Sequence, residues 1–395
     1  MNWNMLRDLD EQYLMPTTRR FPVAISQGAG SAFSDFEGRS YIDFAGGLNG
    51  NSLGFGHQAW SDVLMEQILQ NACLASGPYS KSAALLAREL CLRTGMASAT
   101  FVNSDSEANE AMLKLALQYN YDRYGAGRST ILTLRGSDHG TTLTTMLASG
   151  KGETHCHLFP GEGCIRVVEP TIDAIAAARS ADVGAIMLEL VRLENGYYYP
   201  LPREFIHALA VLCAEQGWLL LLDETKTGIG RTGEFFAFQQ YGILPDAVSM
   251  GSSLGGGLPV GGVLAANRCK STLTHEMHQT RLGEHPLCMA GALSVLDTLN
   301  EEALSDVRDL GYYLRSGLEA MVGSATDRVQ GVGLMQSLRL PDGREGYATA
   351  CRLAERGLLC GYTQDYLLLM PPLLTSKAEI DKGLSILTNT LVEGV

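Results

Sequence analysis

Charged side chains follow short apolar runs at several points of the sequence. Asp223 ends the run GWLLLLD, and Lys226 stands three residues after it. Glu189 lies near the end of GAIMLEL, and Asp138 and His139 come soon after TILTL. Carboxylates, an imidazole and a lysine amine can transfer protons, and a lysine amine can also bond to a carbonyl carbon. If these residues meet at the carboxyl ends of neighbouring strands, they predict a charged cleft with perturbed pKa values that binds a polar ligand.

A glycine-rich segment, GSSLGGGLPVGG at 251–262, adds Ser252 to these groups. The segment lacks the GK[ST] ending of a P-loop and does not match GxGxxG, so its glycines are interpreted as backbone turns. Asp138, His139 and Ser252 are the residue types of a nucleophilic triad. Adjacent side chains such as those of 138 and 139 do not readily point at one target, so His139 is predicted to be structural.

No metal centre is predicted. His155, Cys156, His157 and Cys164 are side chains of the kind that bind zinc, but they lack the paired CxxC or HxxxH spacing of zinc sites. The 9 cysteines are scattered and odd in number, which argues against a disulfide framework.

Composition excludes several classes of protein. The 395 residues carry 30 Lys and Arg against 43 Asp and Glu, a net charge of −13 that disfavours binding to nucleic acid. No apolar stretch reaches the roughly 18–20 residues that span a bilayer, and the N-terminus lacks the plan of a signal peptide. The sequence therefore predicts a cytoplasmic protein without a membrane partner.

The middle of the chain alternates strand-like and helix-like segments. Strands are predicted at 99–103, 130–134, 184–190, 217–224 and 246–250, and helices at 106–125, 202–216 and 286–300. The strand segments are apolar on both faces, which is typical of a sheet covered by helices on each side. This alternation predicts an α/β architecture with a mostly parallel central sheet.

The two ends of the chain differ from the middle. Residues 28–44 alternate like a hairpin with a turn at 35–38, and beyond about residue 305 two helical patterns flank the strand-like runs SLRL and LLLM. Neither end alone can bury a core, so both are predicted to form one small α+β domain. The predicted boundaries are 1–55 and 305–395 for this domain and 56–304 for the large α/β domain.

Three segments resemble the class III aminotransferases, and acetylornithine aminotransferases most closely. They are GRSYIDFAGGLNGNSLGFGH (38–57), FVNSDSEANEAMLKLA (101–116) and LLLLDETKTGIGRTGEFFAFQQYGILPDAVSMGSSLGGGLPVGG (219–262). Members of this family are pyridoxal-phosphate (PLP) enzymes of fold type I. The resemblance implies that fold and a homodimer whose active sites lie at the subunit interface.

The resemblance breaks at the residues that would contact PLP. The family lysine that bonds to PLP lies in a pattern like G-K-A-L-G-G-G, and Ser252 occupies its place. A hydroxyl cannot form an imine with an aldehyde. The aromatic residue that stacks on the pyridine ring is replaced by Asp138, and the arginines that grip a substrate carboxylate are replaced by Thr141 and Leu369.

The phosphate end is also altered. Asp105 replaces a glycine of the family's N-S-G-A/S-E turn, and a carboxylate about 4 Å from a phosphate costs roughly 4 kcal/mol per phosphate charge. Arg281 replaces the partner chain's phosphate-binding threonine, next to Thr280. Two hypotheses follow: Asp105 and Arg281 pair across the dimer interface, or Arg281 binds the phosphate. If PLP binds, the resemblance implies contacts from Ser106, Asp223, Lys226, Thr280 and Arg281.

One cofactor contact of the family is retained. Asp223 matches the aspartate that keeps the pyridine nitrogen protonated, and Lys226 replaces a glutamine near the carbon that forms the imine. Lys226 is therefore either a relocated Schiff-base lysine or the partner of an ion pair with Asp223 or Asp138.

These losses predict a class III aminotransferase homologue that no longer uses PLP. It would be a homodimeric enzyme without a cofactor, acting on a small polar metabolite derived from an amino acid. Its catalytic residues would be Lys226, Asp223, Ser252, Asp138 and Glu189, and its substrate contacts Asp105, His139 and Arg281. Two alternatives remain: a PLP-dependent aminotransferase that uses Lys226, and a non-catalytic paralogue that regulates a true aminotransferase.

Overall fold

The computed structural model of the chain describes residues 3–71, 77–151, 163–341 and 343–392. The first elements, up to the start of the central sheet, are α1 (Trp3–Tyr13), β1 (Ile25–Ala29), β2 (Ala32–Asp35), β3 (Ser40–Asp43), α2 (Gln58–Gln70) and α3 (Lys81–Thr94). The elements that follow are β4 (Ser98–Val102), α4 (Asp105–Tyr124), β5 (Thr130–Leu134), α5 (Leu143–Ala148), β6 (Ile165–Val168), α6 (Ile172–Ala177), β7 (Val183–Glu189), β8 (Val191–Glu194), β9 (Tyr197–Pro200), α7 (Arg203–Gln216), β10 (Leu219–Asp223), α8 (Ala237–Tyr241), β11 (Ala247–Met250), β12 (Gly261–Ala265) and α9 (Pro286–Thr298). The last are α10 (Glu301–Glu319), β13 (Val329–Val332), β14 (Met335–Arg339), α11 (Gly346–Glu355), β15 (Leu358–Leu359), β16 (Gly361–Tyr362), β17 (Tyr366–Leu369) and α12 (Lys377–Val392).

Seven strands form the central sheet in the order β4-β12-β11-β10-β7-β5-β6. β12 runs antiparallel to β11 and β4, whereas the pairs among β11, β10, β7, β5 and β6 are parallel. All residues of β7, β10, β11 and β12 are buried. The predicted α/β class and the mostly parallel sheet are confirmed.

The core lies on both faces of this sheet. Alternate residues of a strand point to opposite faces, so Leu219 and Leu221 join the cluster that contains α4, while Leu220 and Leu222 join the cluster that contains α7 and α9. This two-sided burial explains why the strands are uninterrupted apolar runs rather than alternating ones.

Helix α4 begins directly after β4 and points its first turn toward the carboxyl ends of the neighbouring strands. The Ser104 side chain accepts a hydrogen bond from the Glu107 N–H at 3.2 Å, which caps the helix. Asp105 therefore occupies the first helical position, one residue before the predicted start.

The two ends of the chain meet in one sheet. β15 pairs in parallel with β3, joining Leu358 to Ile42 and Leu359 to Asp43, and β3 continues into β2 and β1. β13, β14, β17 and β16 form a second four-stranded sheet. The predicted hairpin and the runs SLRL and LLLM are strands, but helix α11 lies between β14 and β17, where the sequence pattern was not assigned to a helix. Among the described residues, no helix is long and apolar enough to span a membrane.

Candidate active site

The charged residues predicted from sequence meet at the carboxyl ends of β5, β7 and β10. Glu189 ends β7 and lies opposite Asp223, which ends β10, in the register of the two parallel strands. Asp138 follows β5 on the other side of β7, and Lys226 follows β10. Parallel strands place their carboxyl ends at one edge of a sheet, and ligands bind at this edge in α/β proteins.

Lys226 is held by carboxylates on two sides. Its Nζ donates hydrogen bonds to Glu189 Oε1 at 2.9 Å, to the Asp138 backbone carbonyl at 2.9 Å and to Asp138 Oδ2 at 3.4 Å. Burial would lower the pKa of Lys226, but the charges of Glu189, Asp138 and Asp223 outweigh it and raise that pKa. Lys226 forms an ion pair with Asp138, one of the two partners considered from the sequence, and a second ion pair with Glu189.

Glu189 and Asp138 are joined to each other as well as to Lys226. Glu189 Oε2 accepts a hydrogen bond from the Asp138 backbone N–H at 2.9 Å. Asp138 Oδ1 in turn accepts a hydrogen bond from Lys151 Nζ at 2.9 Å. We name Lys226, Glu189, Asp138 and Lys151 the lysine–carboxylate cluster. Sequence reasoning missed Lys151, because nothing in its local sequence distinguishes it from a surface lysine.

Both carboxylate oxygens of Asp223 accept hydrogen bonds from neighbouring side chains or backbone. Its Oδ2 accepts from Asn109 Nδ2 at 2.8 Å and lies 2.7 Å from His139 Nδ1, while its Oδ1 accepts from the Thr225 N–H at 3.0 Å and the Thr225 hydroxyl at 2.7 Å. Burial would raise the pKa of Asp223, but the hydrogen bond and charge of His139, with Lys226 and Thr225, lower it to about 2. Asp223 is therefore ionised at neutral pH.

The imidazole of His139 is committed to Asp223, so Asp138, His139 and Ser252 do not form a triad. His139 is 1% exposed, and its Nε2 atom has no hydrogen-bond partner among the described residues. Asn109 was also missed from sequence. It lies on α4 one turn after Asp105 and binds both Asp223 Oδ2 and the His139 carbonyl. This geometry favours a structural role for His139, and the predicted contact of His139 with substrate stays a prediction.

Ser252 and Asp105 contact each other at the first turn of α4. Ser252 opens a 3₁₀ turn (Ser252–Gly255) after β11, and its backbone N–H donates to Asp105 Oδ1 at 2.9 Å. Burial raises the pKa of Asp105, and the nearby Asp223 charge adds to the effect, while the Ser252 N–H and Lys226 oppose it. The Asp105 carboxylate is thus bound to the turn that contains Ser252.

Replacing Gly251 with alanine is expected to destabilise the protein by about 1–3 kcal/mol, because the added methyl group has no room. Its carbon would lie 2.6 Å from Asp105 Oδ1 and 2.8 Å from the Thr225 carbonyl. Urea unfolding measures the change. Gly127→Ala is the control, since a methyl group there meets none of the described atoms within 4 Å. Equal stability of the two variants would contradict the packing described here.

The remaining predicted contacts lie away from the lysine–carboxylate cluster. Arg281 is exposed, and with Thr280 it lines a cavity of about 840 Å³ that also includes His278 and His285. Thr280 Oγ1 accepts a hydrogen bond from Asn103 Nδ2 at 2.7 Å. Within the described part of one chain, no contact joins Arg281 to Asp105, so the hypothesis that they pair between subunits stays a prediction.

The roles predicted for Ser106, Thr141 and Leu369 stay predictions, and the structure gives their local contacts. Ser106 Oγ accepts the Thr141 N–H at 3.0 Å, close to the first turn of α4. Leu369 is buried in β17. Within residues 3–71, 77–151, 163–341 and 343–392, no group of three His, Cys, Asp or Glu side chains is placed to hold a metal ion. Of the zinc-type side chains considered above, 155–157 lie outside the described residues.

The fit of PLP can be judged at three points. The ionised Asp223 suits a protonated pyridine nitrogen, and Lys226 supplies a primary amine in the same cleft. The first turn of α4 presents backbone N–H groups, which suit a phosphate. Asp105 opposes the phosphate at this third point. The residues therefore fit the ring and the aldehyde of PLP, and fit its phosphate less well than a glycine at 105 would.

Comparison with known proteins identifies the class. The structure superimposes on fold type I PLP-dependent aminotransferases over nearly its whole length. A family model described as aminotransferase class-III matches residues 13–391, and the chain belongs to this family. The acetylornithine aminotransferase of Haemophilus ducreyi is 33% identical over 395 residues, which cover 100% of both chains.

Two solved structures show the same relationship. N-acetylornithine aminotransferase from Stenotrophomonas maltophilia is 28% identical, covers 98% of each chain and has a TM-score of 0.82. Ornithine aminotransferase from Toxoplasma gondii, which has partial occupancy of PLP at its active site, has a TM-score of 0.90. At 22% identity over 99% of this chain and 95% of that one, it demonstrates a shared fold alone.

The prediction of a PLP-independent enzyme with no cofactor is wrong. The family and the acetylornithine aminotransferases that match this chain along its length are PLP-dependent. That prediction treated a serine at position 252 as the loss of any reactive amine. The cleft also contains the primary amine of Lys226, so Ser252 by itself does not exclude a lysine-bound cofactor.

Proposed function

We propose that the chain is a PLP-dependent aminotransferase in which Lys226 replaces the family lysine. The observation that carries the proposal is the position of Lys226 Nζ, 2.9 Å from Glu189 and close enough to Asp223 for each charge to shift the other's pKa. The relatives support an amino donor of the acetylornithine or ornithine type.

The chain's own residues have distinct roles in this proposal. Asp223 would pair with the pyridine nitrogen, and His139 and Asn109 hold its carboxylate in place. Ser106 and the first turn of α4 would bind the phosphate, with Thr280 and Arg281 supplied by a second subunit. When bound, PLP supplies the aldehyde that accepts an amino group and the ring that stores electrons.

Lys226 would be the residue whose amine holds PLP, and the same amine, once free, would carry a proton to and from the substrate carbon. Glu189 and Asp138 orient its Nζ into the cleft, where the Lys226 side chain is 32% exposed. Asp223, the last residue of β10, keeps its negative charge over the whole neutral range because its pKa is about 2.

The homodimer and the cytoplasmic location belong to the same proposal. Arg281 and Thr280 line a cavity whose lining includes no residue of the lysine–carboxylate cluster, and this supports a role for them in the site of a second copy. Thr141 and Leu369 stand where acetylornithine-type enzymes have arginines, so we expect this chain to bind the substrate carboxylate more weakly than those enzymes do.

The test is the absorbance spectrum of the purified protein before and after addition of PLP, followed by borohydride reduction and peptide mass mapping. The proposal expects the visible band of lysine-bound PLP and a reduced adduct on Lys226. An adduct confined to Lys151, or no bound PLP, would overturn it. Recovery of the chain as a heterodimer with an active aminotransferase would instead favour the regulatory paralogue.

A further inference from the structure

We propose that Glu189 is a positioning residue that holds Lys226 as an ammonium ion and determines when its amine becomes available for reaction. Glu189 uses both carboxylate oxygens in the cluster. Oε1 accepts from Lys226 Nζ at 2.9 Å, and Oε2 accepts from the Asp138 N–H at 2.9 Å. The Asp138 carbonyl also accepts a hydrogen bond from Lys226 Nζ. Lys226, Glu189 and the Asp138 backbone therefore form one closed ring of hydrogen bonds.

Glu189 is better placed than Asp138 to control the lysine. The Glu189 side chain is 4% exposed, whereas that of Asp138 is 46% exposed. Water screens the exposed carboxylate more strongly, so its charge has less effect on Nζ. Asp138 also divides its charge between two lysines, since Lys151 binds its other oxygen at 2.9 Å.

Other titratable groups face Lys226 from the elements packed around it. Asp223 lies at the end of β10, Asp105 in the first turn of α4, and Tyr198 on β9. Asp223 and Asp105 already accept hydrogen bonds from other donors, His139 and the Ser252 N–H respectively. Glu189 is thus the buried carboxylate that contacts Nζ directly.

The consequence concerns the reactivity of the amine. A lysine attacks a carbonyl carbon only as the uncharged amine, and the charge of Glu189 favours the ammonium form. Lys226 therefore becomes nucleophilic when the Glu189 charge is removed or is balanced by another group in the cleft. This inference rests on the proposed function, because it concerns the amine that the proposed reaction uses.

The experiment is competitive labelling of the protein without PLP, using trace acetic anhydride over a range of alkaline pH. In Glu189→Gln, Lys226 should acetylate at least about tenfold faster at mildly alkaline pH, since each unit by which the pKa falls raises the uncharged fraction about tenfold. The midpoint of the Lys226 labelling curve should move to lower pH. Labelling of Lys114, on α4 and bonded to His278, should not change.

Three further variants keep the test decisive. Glu194→Gln, on β8, removes a carboxylate that pairs with Arg192 rather than with Lys226, and should leave Lys226 labelling unchanged. Glu189→Asp keeps the charge and should restore most of the wild-type midpoint. Asp138→Asn should lower the midpoint less than Glu189→Gln does.

An unchanged midpoint in Glu189→Gln, or a larger change in Asp138→Asn, would overturn the inference. If Glu189→Gln instead caused a general loss of structure, labelling of Lys114 would also become faster. Glu189→Asp, which keeps the charge, would then not restore the wild-type labelling of Lys226. Because the measurement uses no PLP, its outcome is independent of the proposed function. PLP binding without a shifted midpoint refutes only the role of Glu189, and a shifted midpoint without PLP binding refutes only the aminotransferase.

Discussion

Replacing Lys226 with methionine is expected to abolish covalent capture of PLP and to lower the transamination rate by about 10³-fold or more, the scale on which a positioned proton-transfer group contributes. The variant retains the length of the side chain but has no amine. Borohydride reduction and peptide mapping measure the adduct, and a single-turnover assay with an acetylornithine-type donor and a 2-oxo acid measures the rate.

A second substitution at the same position, Lys226→Arg, separates this loss from damage to the fold. Lys226→Met leaves the buried Glu189 without its cation, which costs about 3 kcal/mol of stability. Lys226→Arg keeps a positive charge beside Glu189 and Asp138 but cannot attach to an aldehyde, so it should lose the adduct and the activity while unfolding close to wild type.

The matched control is Lys151→Met. Lys151 contacts the same carboxylate, Asp138, but its side chain is 40% exposed and it does not contact Glu189 among the described residues. This variant should retain the adduct on Lys226. If Lys151→Met loses the adduct and Lys226→Met keeps it, Lys151 rather than Lys226 supplies the reactive amine, and the proposal is wrong.

Replacing Asp223 with alanine is expected to destabilise the protein by about 3–5 kcal/mol and to eliminate activity, because it removes the acceptor of several buried donors. The donors left without a partner are His139 Nδ1, Asn109 Nδ2 and the Thr225 N–H. Urea unfolding at neutral pH measures the difference in stability between this variant and the wild type.

This difference has a predictable dependence on pH. The pKa of Asp223 is lowered from 3.8 to about 2 on folding, so the folded state holds the charged form more strongly than the unfolded state does. The stabilisation is complete above pH 3.8 and is lost as the pH falls from 3.8 toward 2. The difference in unfolding free energy between the wild type and Asp223→Ala should therefore become smaller as the pH falls from 3.8 toward 2.

Asp182→Ala is the control for a carboxylate outside the cleft. Asp182 pairs with Arg166 at 2.9 Å, and both side chains are about two-fifths exposed. Water screens such a pair, so its removal should cost less than about 1 kcal/mol. A larger loss for Asp182→Ala than for Asp223→Ala would contradict the assignment of Asp223 as the buried anchor of the cleft.

The secondary structure of the sheet was predictable because each strand is a distinct local pattern. β5 has the predicted bounds, and the predicted strands at 184–190 and 246–250 differ from β7 and β11 by one residue. Burial on both faces requires apolar side chains at successive positions, and this requirement is visible in the sequence itself. Helix α11 was not predicted. Its buried residues recur at helical spacing, but four of the five are small or polar (Gly346, Thr349, Ala350 and Ala354), so Leu353 alone marks the buried face in the sequence.

The cofactor was predicted wrongly for a different reason. Each substitution at a position that contacts PLP or substrate in the family was taken as a lost contact. Several such losses together favoured an enzyme without PLP. Contacts in a cleft are set by distance in space, so a residue missing from one motif does not decide which side chains the cleft contains. Lys226 lies 26 residues before Ser252 in the chain, yet both follow neighbouring strands of one sheet.

By itself, the sequence determined the fold class, the family resemblance, and the candidates Asp223, Lys226, Glu189 and Asp138. These depend on local patterns and on matched motifs. Only the tertiary structure decided the partners: His139 with Asp223 rather than Asp138, and Lys226 with Glu189 in a ring closed by the Asp138 backbone. A hydrogen bond needs two atoms within about 3 Å in a suitable direction. The strand register and the course of the loops set that distance, and residues 37 to 88 positions apart in the chain carry no local signal of it.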